Sequence, residues 1–562
     1  MTRRKSQPRR ALGQSPRLAT LAAAIAVAVP GAANAFDVPT NDPDLAVRFD
    51  NTVRANVGLR VESRDPKIGN SVLADEGDYR FNNGQAVAER IDVLSELDVI
   101  YKKRFGGRLS VAGWYDAAYD GSSKSNPAFA AIPSYINHQY SSTTKRFYEG
   151  PSAEFLDAFV FGGTDLGDVP VNGKLGRHTI YWGESLLLGG HLHSVSYAQA
   201  PLDLQKGFAT PGTEAKELFR PLNQLSGQAQ LTDTLSVAGQ YLLEWEPARY
   251  PEGGTYLGPV DFVFNGPDRQ FLSQAAGFAT RGPASEPNQS GEFGLSARWS
   301  PAWLDGTMGF YYRNFADKLP QVLLTQRGVG TSQYNMIYAD NIKLYGTSIT
   351  KNIFGISTSA EVSYRENTPL NSQVLGFAGP GLPGKGDTNG ARGDTWHALV
   401  NAVGTVAKTP VFDSASWIAE LSASRWVTVR SGANLFNAIG YAPCIGKDKW
   451  DGCVTKNYAG IGLGFTPNWF QVWPGVDLSA PVTYAIGLSG NAATVFGGNQ
   501  GLGNYSIGVG ADVQQKYRFD LKYVGYVGRI ATNAADQVTS SAGLASLLRD
   551  RDYLALTFKT TF

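Results

Sequence analysis

The residues best suited to chemistry are three histidines in one segment of the chain, residues 174–225. They are His178, His191 and His193, and the whole sequence contains only five histidines. The His-x-His spacing of the last two would place both imidazoles on one side of an extended strand, an arrangement that a metal site can use. Glu184 could add a carboxylate, but the sequence offers no aligned fourth ligand. We therefore predict no metal and no other cofactor.

A serine hydrolase is the second chemistry that this segment could support. Ser185 and Ser194 are candidate nucleophiles, and His191 or His193 could act as the base. However, the residues around Ser185 read Gly-Glu-Ser-Leu-Leu, which is not the G-x-S-x-G nucleophile elbow. The prediction is that the protein is not an enzyme, with an outer-membrane lipid or ester hydrolase kept as an alternative.

The favoured interpretation of the segment is that Arg177, Tyr181, Trp182 and Glu184 form a buried hydrogen-bonded cluster, which holds a loop in place and is compatible with lining a path for a solute. Thr213 could cap a short helix from Glu214 to Phe219, so the loop near residues 183–224 is predicted to be a partly helical plug. The acidic residues around Trp245 could pair with it. The candidate residues of the path or gate are Arg177, His178, Tyr181, Trp182, Glu184, His191, His193 and Glu217.

Alternating hydrophobicity recurs along the chain and predicts the strands that position this loop. From Val53 to Val61 every second residue is apolar, and Arg54, Asn56, Gly58 and Arg60 lie between them. Such a strand has one apolar and one polar face. In a soluble sandwich the apolar face covers a core, whereas in a membrane barrel it faces lipid and the polar face lines the lumen.

The lengths of the links favour the barrel. About eighteen such strands can be placed, and the links between them are alternately short and long. A barrel of the outer membrane shows this asymmetry, because short turns lie on the periplasmic side and long loops on the outer side. We predict an all-β, antiparallel transmembrane barrel of about eighteen strands, with sixteen as the alternative count.

Both ends of the chain indicate export. Residues 1–17 carry six basic residues and no acidic one, Leu18 to Val29 is apolar, and Ala33-Asn34-Ala35 fits an A-x-A cleavage site. Residues 1–35 are therefore predicted to be a signal peptide, with cleavage governed by Ala33 and Ala35, and residues 36–562 a single barrel. The final segment from Tyr553 alternates and ends on Phe562, so it is predicted to pair with Asn51–Glu62, with Phe558 and Phe562 as an assembly signal.

Composition excludes several classes of protein. Removing the six basic residues of the signal changes the formal net charge from +1 to 1 − 6 = −5, which gives no reason to expect nucleic-acid binding. After Val29 no stretch approaches the ~20 apolar residues of a membrane helix. The two cysteines, Cys444 and Cys453, are predicted to form a disulfide in an outer loop, because the compartment is oxidising.

Several blocks of the chain resemble the domain-of-unknown-function 1302 family of proteobacterial proteins. These blocks are Gly176-Arg177-His178, Tyr181-Trp182-Gly183-Glu184-Ser185, Pro211-Gly212-Thr213-Glu214-Ala215-Lys216-Glu217, Trp245-Glu246-Pro247 and Gly254-Thr255-Tyr256. The resemblance covers essentially the mature chain and implies an outer-membrane-like barrel. It further implies traffic of a hydrophobic compound or lipid, with a periplasmic lipid-carrier-like protein and an inner-membrane exporter as partners. It supplies no catalytic residues.

The predicted function is an outer-membrane barrel of a Gram-negative bacterium that passes or holds a small, hydrophobic or lipid-like molecule. Its expected partners also include outer-membrane lipid and the barrel-assembly machinery. The apolar loop residues that would contact the solute are Leu186, Leu187, Leu188, Leu192, Phe208 and Phe219. The alternatives are a polar-solute porin, the hydrolase described above and a surface-adhesion protein.

Overall fold

The computed structural model describes residues 36–209, 215–325, 332–373, 375–377, 382 and 384–562. Within these residues, eighteen antiparallel strands form one closed barrel. In chain order, β1 to β18 are Leu45–Arg60, Ala86–Tyr101, Phe105–Asp116, Ser152–Leu166, Val169–His178, Leu222–Thr232, Leu235–Leu242, Phe293–Trp299, Gly306–Phe315, Ile342–Ile353, Ile356–Pro369, Arg392–Val406, Ser414–Ser431, Asn457–Trp473, Val476–Ser479 continued by Val482–Ser489, Gly503–Val513, Tyr517–Val527 and Tyr553–Thr561. The predicted strand count of eighteen is therefore confirmed.

The seam between β1 and β18 closes the barrel. Their register runs from Thr52 opposite Thr561 to Arg60 opposite Tyr553, which confirms the pairing predicted from the alternation of the final segment. Beyond the strand, the backbone N–H of Asn51 donates to the carbonyl of Phe562 at 2.7 Å, and the reverse bond measures 2.9 Å. Neither β1 nor β18 is left with an open edge along this register.

The two faces of the wall have opposite character. In β1 the inward Arg54 and Arg60 are 2% and 0% exposed, whereas the outward Leu59 is 38% exposed. The other strands repeat this arrangement, and their outward side chains include exposed Val160, Leu225 and Val400. An exposed apolar belt around a closed sheet is the surface of a transmembrane barrel, because lipid rather than water solvates it.

The links are short at one end of the barrel and long at the other, as predicted. The short turns are residues 102–104, 167–168, 233–234, 300–305, 354–355, 407–413, 474–475 and 514–516. The long loops are residues 61–85, 117–151, 179–221, 243–292, 316–341, 370–391, 432–456, 490–502 and 528–552. Three of the strands that the alternation predicts, 109–119, 174–182 and 235–245, end earlier in the structure: β3 ends at Asp116, β5 at His178 and β7 at Leu242. In all three places the chain leaves the wall to enter a long loop.

The long loops contain their own small elements. A five-stranded sheet joins three loops through Arg269–Ser273, Gly277–Arg281, Gln321–Thr325, Gln333–Ile337 and Leu375–Phe377, and a hairpin joins Ile530–Thr532 to Val538–Ser541. The α-helices are Pro66–Gly69, Asp75–Tyr79, Ser142–Thr144, Leu188–His191, Leu204–Ala209 and Ala215–Leu218. The 3₁₀ turns are Ala117–Tyr119, Pro127–Phe129, Ile136–His138, Ala433–Leu435, Ala442–Cys444, Lys449–Asp451 and Leu544–Leu548, and Lys145–Glu149 is a π turn. Among the described residues, no helix has the length and apolar character needed to cross a bilayer.

Three further features concern the ends and the cysteines. A short strand, Phe36–Val38, pairs with Val47–Phe49 at the beginning of β1. The predicted signal peptide, including Ala33 and Ala35, lies outside the described residues. Cys444 and Cys453 are joined by a disulfide within loop 432–456.

Proline at the closing seam tests the fold. Leu556 faces outward in β18 and lies opposite Val57 on one side and Leu521 on the other. Leu556→Pro removes a backbone donor from the sheet, and we expect it to prevent closure. The measurement is the heat-modifiable shift in gel mobility that folded barrels show. Leu556→Val keeps a strand-forming apolar side chain and should shift like the wild type; an equal shift in both variants would contradict the seam.

Candidate functional site

Loop 179–221, which we call the luminal loop, enters the lumen, where two inward-facing glutamates of the wall hold its backbone. Glu361 of β11 accepts hydrogen bonds from the backbone N–H of Glu184 at 2.8 Å and of Val195 at 2.6 Å. Glu420 of β13 accepts from the N–H of Leu186 at 2.7 Å and of Leu187 at 3.1 Å. Because charged acceptors form stronger hydrogen bonds than neutral ones, two carboxylates fix four amides of the loop.

Two arginines of the same wall bind carbonyl groups of the loop. Arg313 of β9 donates to the carbonyls of Val195 at 2.8 Å and Tyr197 at 2.6 Å. Arg365 of β11 donates to the carbonyls of Leu192 at 3.0 Å and Ser194 at 2.9 Å. We call Arg313, Glu361, Arg365 and Glu420 the wall anchors. Their charged side chains bind the neutral backbone of the loop instead of lining an open polar lumen.

The second half of the loop is held from the opposite side of the barrel. Glu217 forms a bidentate ion pair with Arg54 of β1, whose Nη1 and Nη2 lie 2.9 and 3.1 Å from the two carboxylate oxygens. Asp203 accepts from Arg249 at 3.0 Å, and Arg249 also reaches Glu154 of β4 at 2.8 Å. In an eighteen-stranded ring, β1 and β11 are nearly diametrically opposed. The loop therefore crosses the lumen and obstructs it.

The helical content of this loop differs in part from the prediction. The expected helix from Glu214 to Phe219 is represented by Ala215–Leu218, while its proposed cap Thr213 and first residue Glu214 lie outside the described residues. Leu188–His191 and Leu204–Ala209 are helical as well. Leu188 and Leu204 of these helices pack against the interior core. Helices of four and six residues are too short for a helical period to reveal them in the sequence.

The expected cluster of Arg177, Tyr181, Trp182 and Glu184 divides into separate contacts. Arg177 pairs with Glu244 at 3.0 Å and with Glu246 at 2.9 Å, as the acidic segment around Trp245 suggested. The other three residues bind different partners. Tyr181 donates to the Ser185 carbonyl, the Trp182 N–H donates to the Gln199 side chain, and the Glu184 carboxylate accepts from Ser348.

The three histidines occupy different environments. Nε2 of His178 lies 2.8 Å from Ser226 Oγ, and Nδ1 of His191 lies 3.0 Å from Ser196 Oγ. His193 Nδ1 lies 2.9 Å from Nδ1 of His397 in β12. None of these hydrogen bonds directly involves the candidate nucleophiles Ser185 and Ser194. The Ser185 hydroxyl contacts Tyr181, and the Ser194 hydroxyl accepts from Ser196 and donates to Glu361. In the part of the chain that the structure describes, no three metal-binding side chains are grouped to hold an ion.

Sequence reasoning missed the residues that organise the loop from the wall. The wall anchors, Asn401 and His397 all lie in β9 to β13, far along the chain from the loop. Asn401 donates to the Glu184 carbonyl at 2.5 Å. The sequence does contain one indication of these residues, because Glu361 and Arg365 lie on the polar face of one alternating strand. That pattern predicts an inward side chain but not the backbone group that it binds.

On the side of the long loops, these loops line a partly open cavity of about 550 Å³, which we call the vestibule. Leu188, Leu192 and Leu204 of the luminal loop contribute to its lining. The remaining apolar lining residues are Tyr250, Pro251, Leu257, Pro259, Phe262, Val263, Phe264, Pro320, Val322, Met336, Val495, Phe496, Leu502, Leu544, Ala545 and Leu548. On this wall the ring of Tyr250 stacks on Phe264 at 5.2 Å and on Phe496 at 4.7 Å between centroids.

Acid is expected to weaken the anchoring of the loop through His193. Burial, and next the charge of Arg365, lowers the pKa of His193 from 6.5 to about 3. Its Nε2 lies 2.9 Å from the Gly497 carbonyl, and its ring stacks on Tyr458. The folded protein thus keeps this ring neutral where the unfolded chain takes up a proton, so its contribution to stability is complete above pH 6.5 and falls as the pH decreases toward about 3.

The pH dependence can be measured by thermal unfolding in detergent between pH 7 and pH 4. The midpoint of the wild type should fall more steeply over this range than that of His193→Asn, which lacks the titrating ring. His138→Asn, which changes a histidine of outer loop 117–151, is the control and should follow the wild type. Identical slopes for the wild type and His193→Asn would refute the expectation.

Glu361→Ala tests the wall anchors directly. It leaves two loop amides without their acceptor, and each unsatisfied buried donor costs about 1–3 kcal/mol. We expect faster proteolysis of loop 179–221 and a higher single-channel conductance. Ser359→Ala is the matched control, because Ser359 also faces inward on β11 but bonds to Thr350 of the wall. The anchoring role would be wrong if both variants behaved like the wild type.

The chain is similar to solved structures with which it shares little sequence. OpdK of Pseudomonas aeruginosa, in a structure with vanillate, is 8% identical with a TM-score of 0.40, over 92% of this chain and 98% of that one. OccAB4 of Acinetobacter baumannii is 8% identical with a TM-score of 0.40, over 93% and 100%. The outer membrane channel DcaP of Acinetobacter baumannii is 9% identical with a TM-score of 0.36, over 94% and 100%.

No curated protein matches the sequence. A family model does: the one described as a protein of unknown function, DUF1302, matches residues 17–562. This range includes all eighteen strands and the luminal loop, so the match extends well beyond the blocks around Arg177 and Trp245. The chain belongs to the DUF1302 family.

Proposed function

We propose that the protein is an outer-membrane barrel of a Gram-negative bacterium that takes up a small apolar molecule in the vestibule and holds it above the luminal loop. The vestibule itself carries the proposal. Its volume of about 550 Å³ is within the range of ~300–1,000 Å³ that is typical of small-molecule sites. The apolar belt supports the location, since only a closed sheet can span a bilayer with strands.

The lining of the vestibule suits an apolar solute. Burying apolar surface stabilises a complex by roughly 25 cal/mol for each Å² removed from water. Eight polar side chains interrupt the apolar lining and could orient a solute that carries one polar group. They are Gln321, Asn371, Ser372, Gln373, Asn437, Asp451, Asn499 and Ser541. Aromatic rings add favourable stacking with planar solutes.

Some of the loop leucines predicted to meet the solute lie at the vestibule and others do not. Leu188 and Leu192 line it. Leu187 instead approaches Gly462 of the wall, and Phe219 packs against Tyr181. The side chain of Phe208 lies outside the described residues. The part of the loop from Leu188 to Leu192 thus forms the floor that the proposal requires.

The luminal loop would act as the barrier between the vestibule and the other end of the barrel. Near the short turns, inward residues such as Gln228 and Arg298 are exposed, which is consistent with a wetter lumen there. Transfer of the solute would require the loop to move away from at least some wall anchors. An apolar solute that passed this point would need a carrier in water, which is the role we propose for the periplasmic lipid-carrier-like partner.

A polar-solute porin is the alternative within transport. Such a channel uses charged rings at an open constriction. Here the wall anchors bind loop backbone, so their charges are not free to select ions. A bilayer recording separates the two functions: we expect a low conductance that rises when residues 186–220 are deleted, whereas a large current from the wild type would favour the porin.

Binding of an apolar fluorescent probe, 1-aminoanthracene, tests the vestibule. Leu192→Gln and Phe496→Gln each place an amide in the apolar lining, and we expect affinity to fall about tenfold, which corresponds to ~1.4 kcal/mol. Ile445→Gln is the control, because Ile445 is 78% exposed and lies outside the lining. Equal affinities for all three variants and the wild type would exclude the vestibule as the site.

A further inference from the structure

A second cavity lies inside the barrel, in the half nearer to the short turns. It is partly open, has a volume of about 320 Å³, and is called the inner chamber below. Its lining includes Gln228, near the short-turn end of β6, and Ile180 and Trp182 of the luminal loop. Leu188 and Leu192 of the same loop line the vestibule. The luminal loop therefore contacts both cavities, and a solute that passed it from the vestibule would next meet the inner chamber.

One side of the inner chamber is apolar and mostly aromatic. Phe161 of β4 lies there, with its ring centroid 6.4 Å from that of Phe159. Trp182 packs so closely on β8 that a Cβ atom added at Gly294 would lie 2.7 Å from its ring. The Trp182 ring also lies 6.3 Å from the ring of Tyr311. These contacts hold the rings in place, so they offer a fixed surface to an apolar group.

The other side of the inner chamber is polar and carries a cation. Lys174 of β5 lies directly opposite Phe161 in the strand pair and lines the chamber together with Ser226 and Gln228. Its Nζ lies 5.1 Å from the centre of the Phe159 ring. Within the described part of the chain, no carboxylate or other acceptor binds this ammonium group. A mainly apolar cavity with a few polar groups is typical of small-molecule sites.

A neighbouring cation, in contrast, is already neutralised. Arg108 of β3 lies opposite Phe159, and its Nε and Nη2 donate to the two oxygens of Asp98 at 2.7 and 2.8 Å. Opposite charges attract more strongly in a partly enclosed site than in bulk water, because the local dielectric constant is lower. Lys174 therefore remains available to an anionic group that enters the inner chamber.

We propose that the inner chamber is a second solute site and that it binds an amphiphilic carboxylic acid in its ionised form. The Lys174 ammonium would donate a charge-assisted hydrogen bond to the carboxylate. The apolar part of the solute would lie on Phe161, Ile180 and Trp182. This inference rests on the proposed function and makes it more specific, since it assigns one acidic group to the molecule that passes the luminal loop.

Calorimetric titration of the full-length protein in detergent tests the site with two probes of similar size, 4-phenylbutyrate and 4-phenyl-1-butanol. At about pH 7.5 the carboxyl group is ionised, so the probes differ in charge. Lys174→Met keeps an unbranched side chain without the charge, and we expect it to weaken 4-phenylbutyrate binding about tenfold. Binding of 4-phenyl-1-butanol should be unchanged. Lys174→Arg keeps the charge and should bind both probes like the wild type.

Two control variants locate the effect. Lys522 also faces inward, opposite Gly508 and Ala555, but lies outside the inner chamber. Lys522→Met should therefore bind both probes like the wild type. Ala238→Phe keeps Lys174 but fills the chamber with a ring, so it should weaken both probes. The inference is overturned if Lys174→Met binds 4-phenylbutyrate like the wild type, if Lys522→Met weakens it equally, or if Ala238→Phe has no effect.

Binding of 1-aminoanthracene separates this inference from the proposed function. It should be unchanged in Lys174→Met and weaker in Leu192→Gln. If 4-phenylbutyrate binding falls in Leu192→Gln but not in Lys174→Met, the acid binds in the vestibule alone; the inference then fails and the proposed function stands. If 1-aminoanthracene ignores the vestibule variants while Lys174→Met still weakens 4-phenylbutyrate binding, the proposed function fails and the site in the inner chamber remains.

Discussion

The hydrogen bonds between the wall anchors and the backbone of the luminal loop are the interaction on which the interior depends. Glu361 and Glu420 accept from amides, and Arg313 and Arg365 donate to carbonyls, so the loop needs no charged side chains at these four points. A buried charge is costly unless it is paired or hydrogen-bonded, and each anchor forms two hydrogen bonds with backbone groups of the loop. Among the described residues, Nε of Arg313 and both Nε and Nη1 of Arg365 have no hydrogen-bond partner. The floor of the vestibule follows from this arrangement, because Leu188 and Leu192 lie between anchored residues.

The strands of the wall could be predicted from the sequence, whereas most contacts inside the barrel could not. Alternation such as that of Val53 to Val61 depends only on neighbouring residues, so the strand number, the alternation of short and long links and the pairing of β1 with β18 could all be predicted. The partners of Arg177 could also be predicted, because Glu244 lies at the beginning of the next long loop. Contacts of His193 with His397, or of Glu184 with Glu361, join residues about 200 positions apart, and no local pattern specifies them.

The vestibule and the apolar belt are two apolar surfaces with different surroundings. Long loops that face water surround the vestibule, so a solute gains free energy there by leaving water. The belt lies in hydrocarbon, where transfer of an apolar molecule alone provides no gain. For this reason hydrophobicity is expected to govern affinity in the vestibule and not on the belt.

The β1–β18 seam also has a consequence for folding. Asn56 and Thr557 meet across it although they are 501 positions apart in the sequence. A contact between residues so far apart in the sequence forms late, because closing the long intervening chain costs entropy before the contact stabilises the fold. Until it forms, the outermost strands of the growing sheet expose unpaired edges, which invite pairing with other chains. Barrel closure therefore competes with aggregation during assembly. A factor that covers the unpaired edges while the sheet grows favours closure.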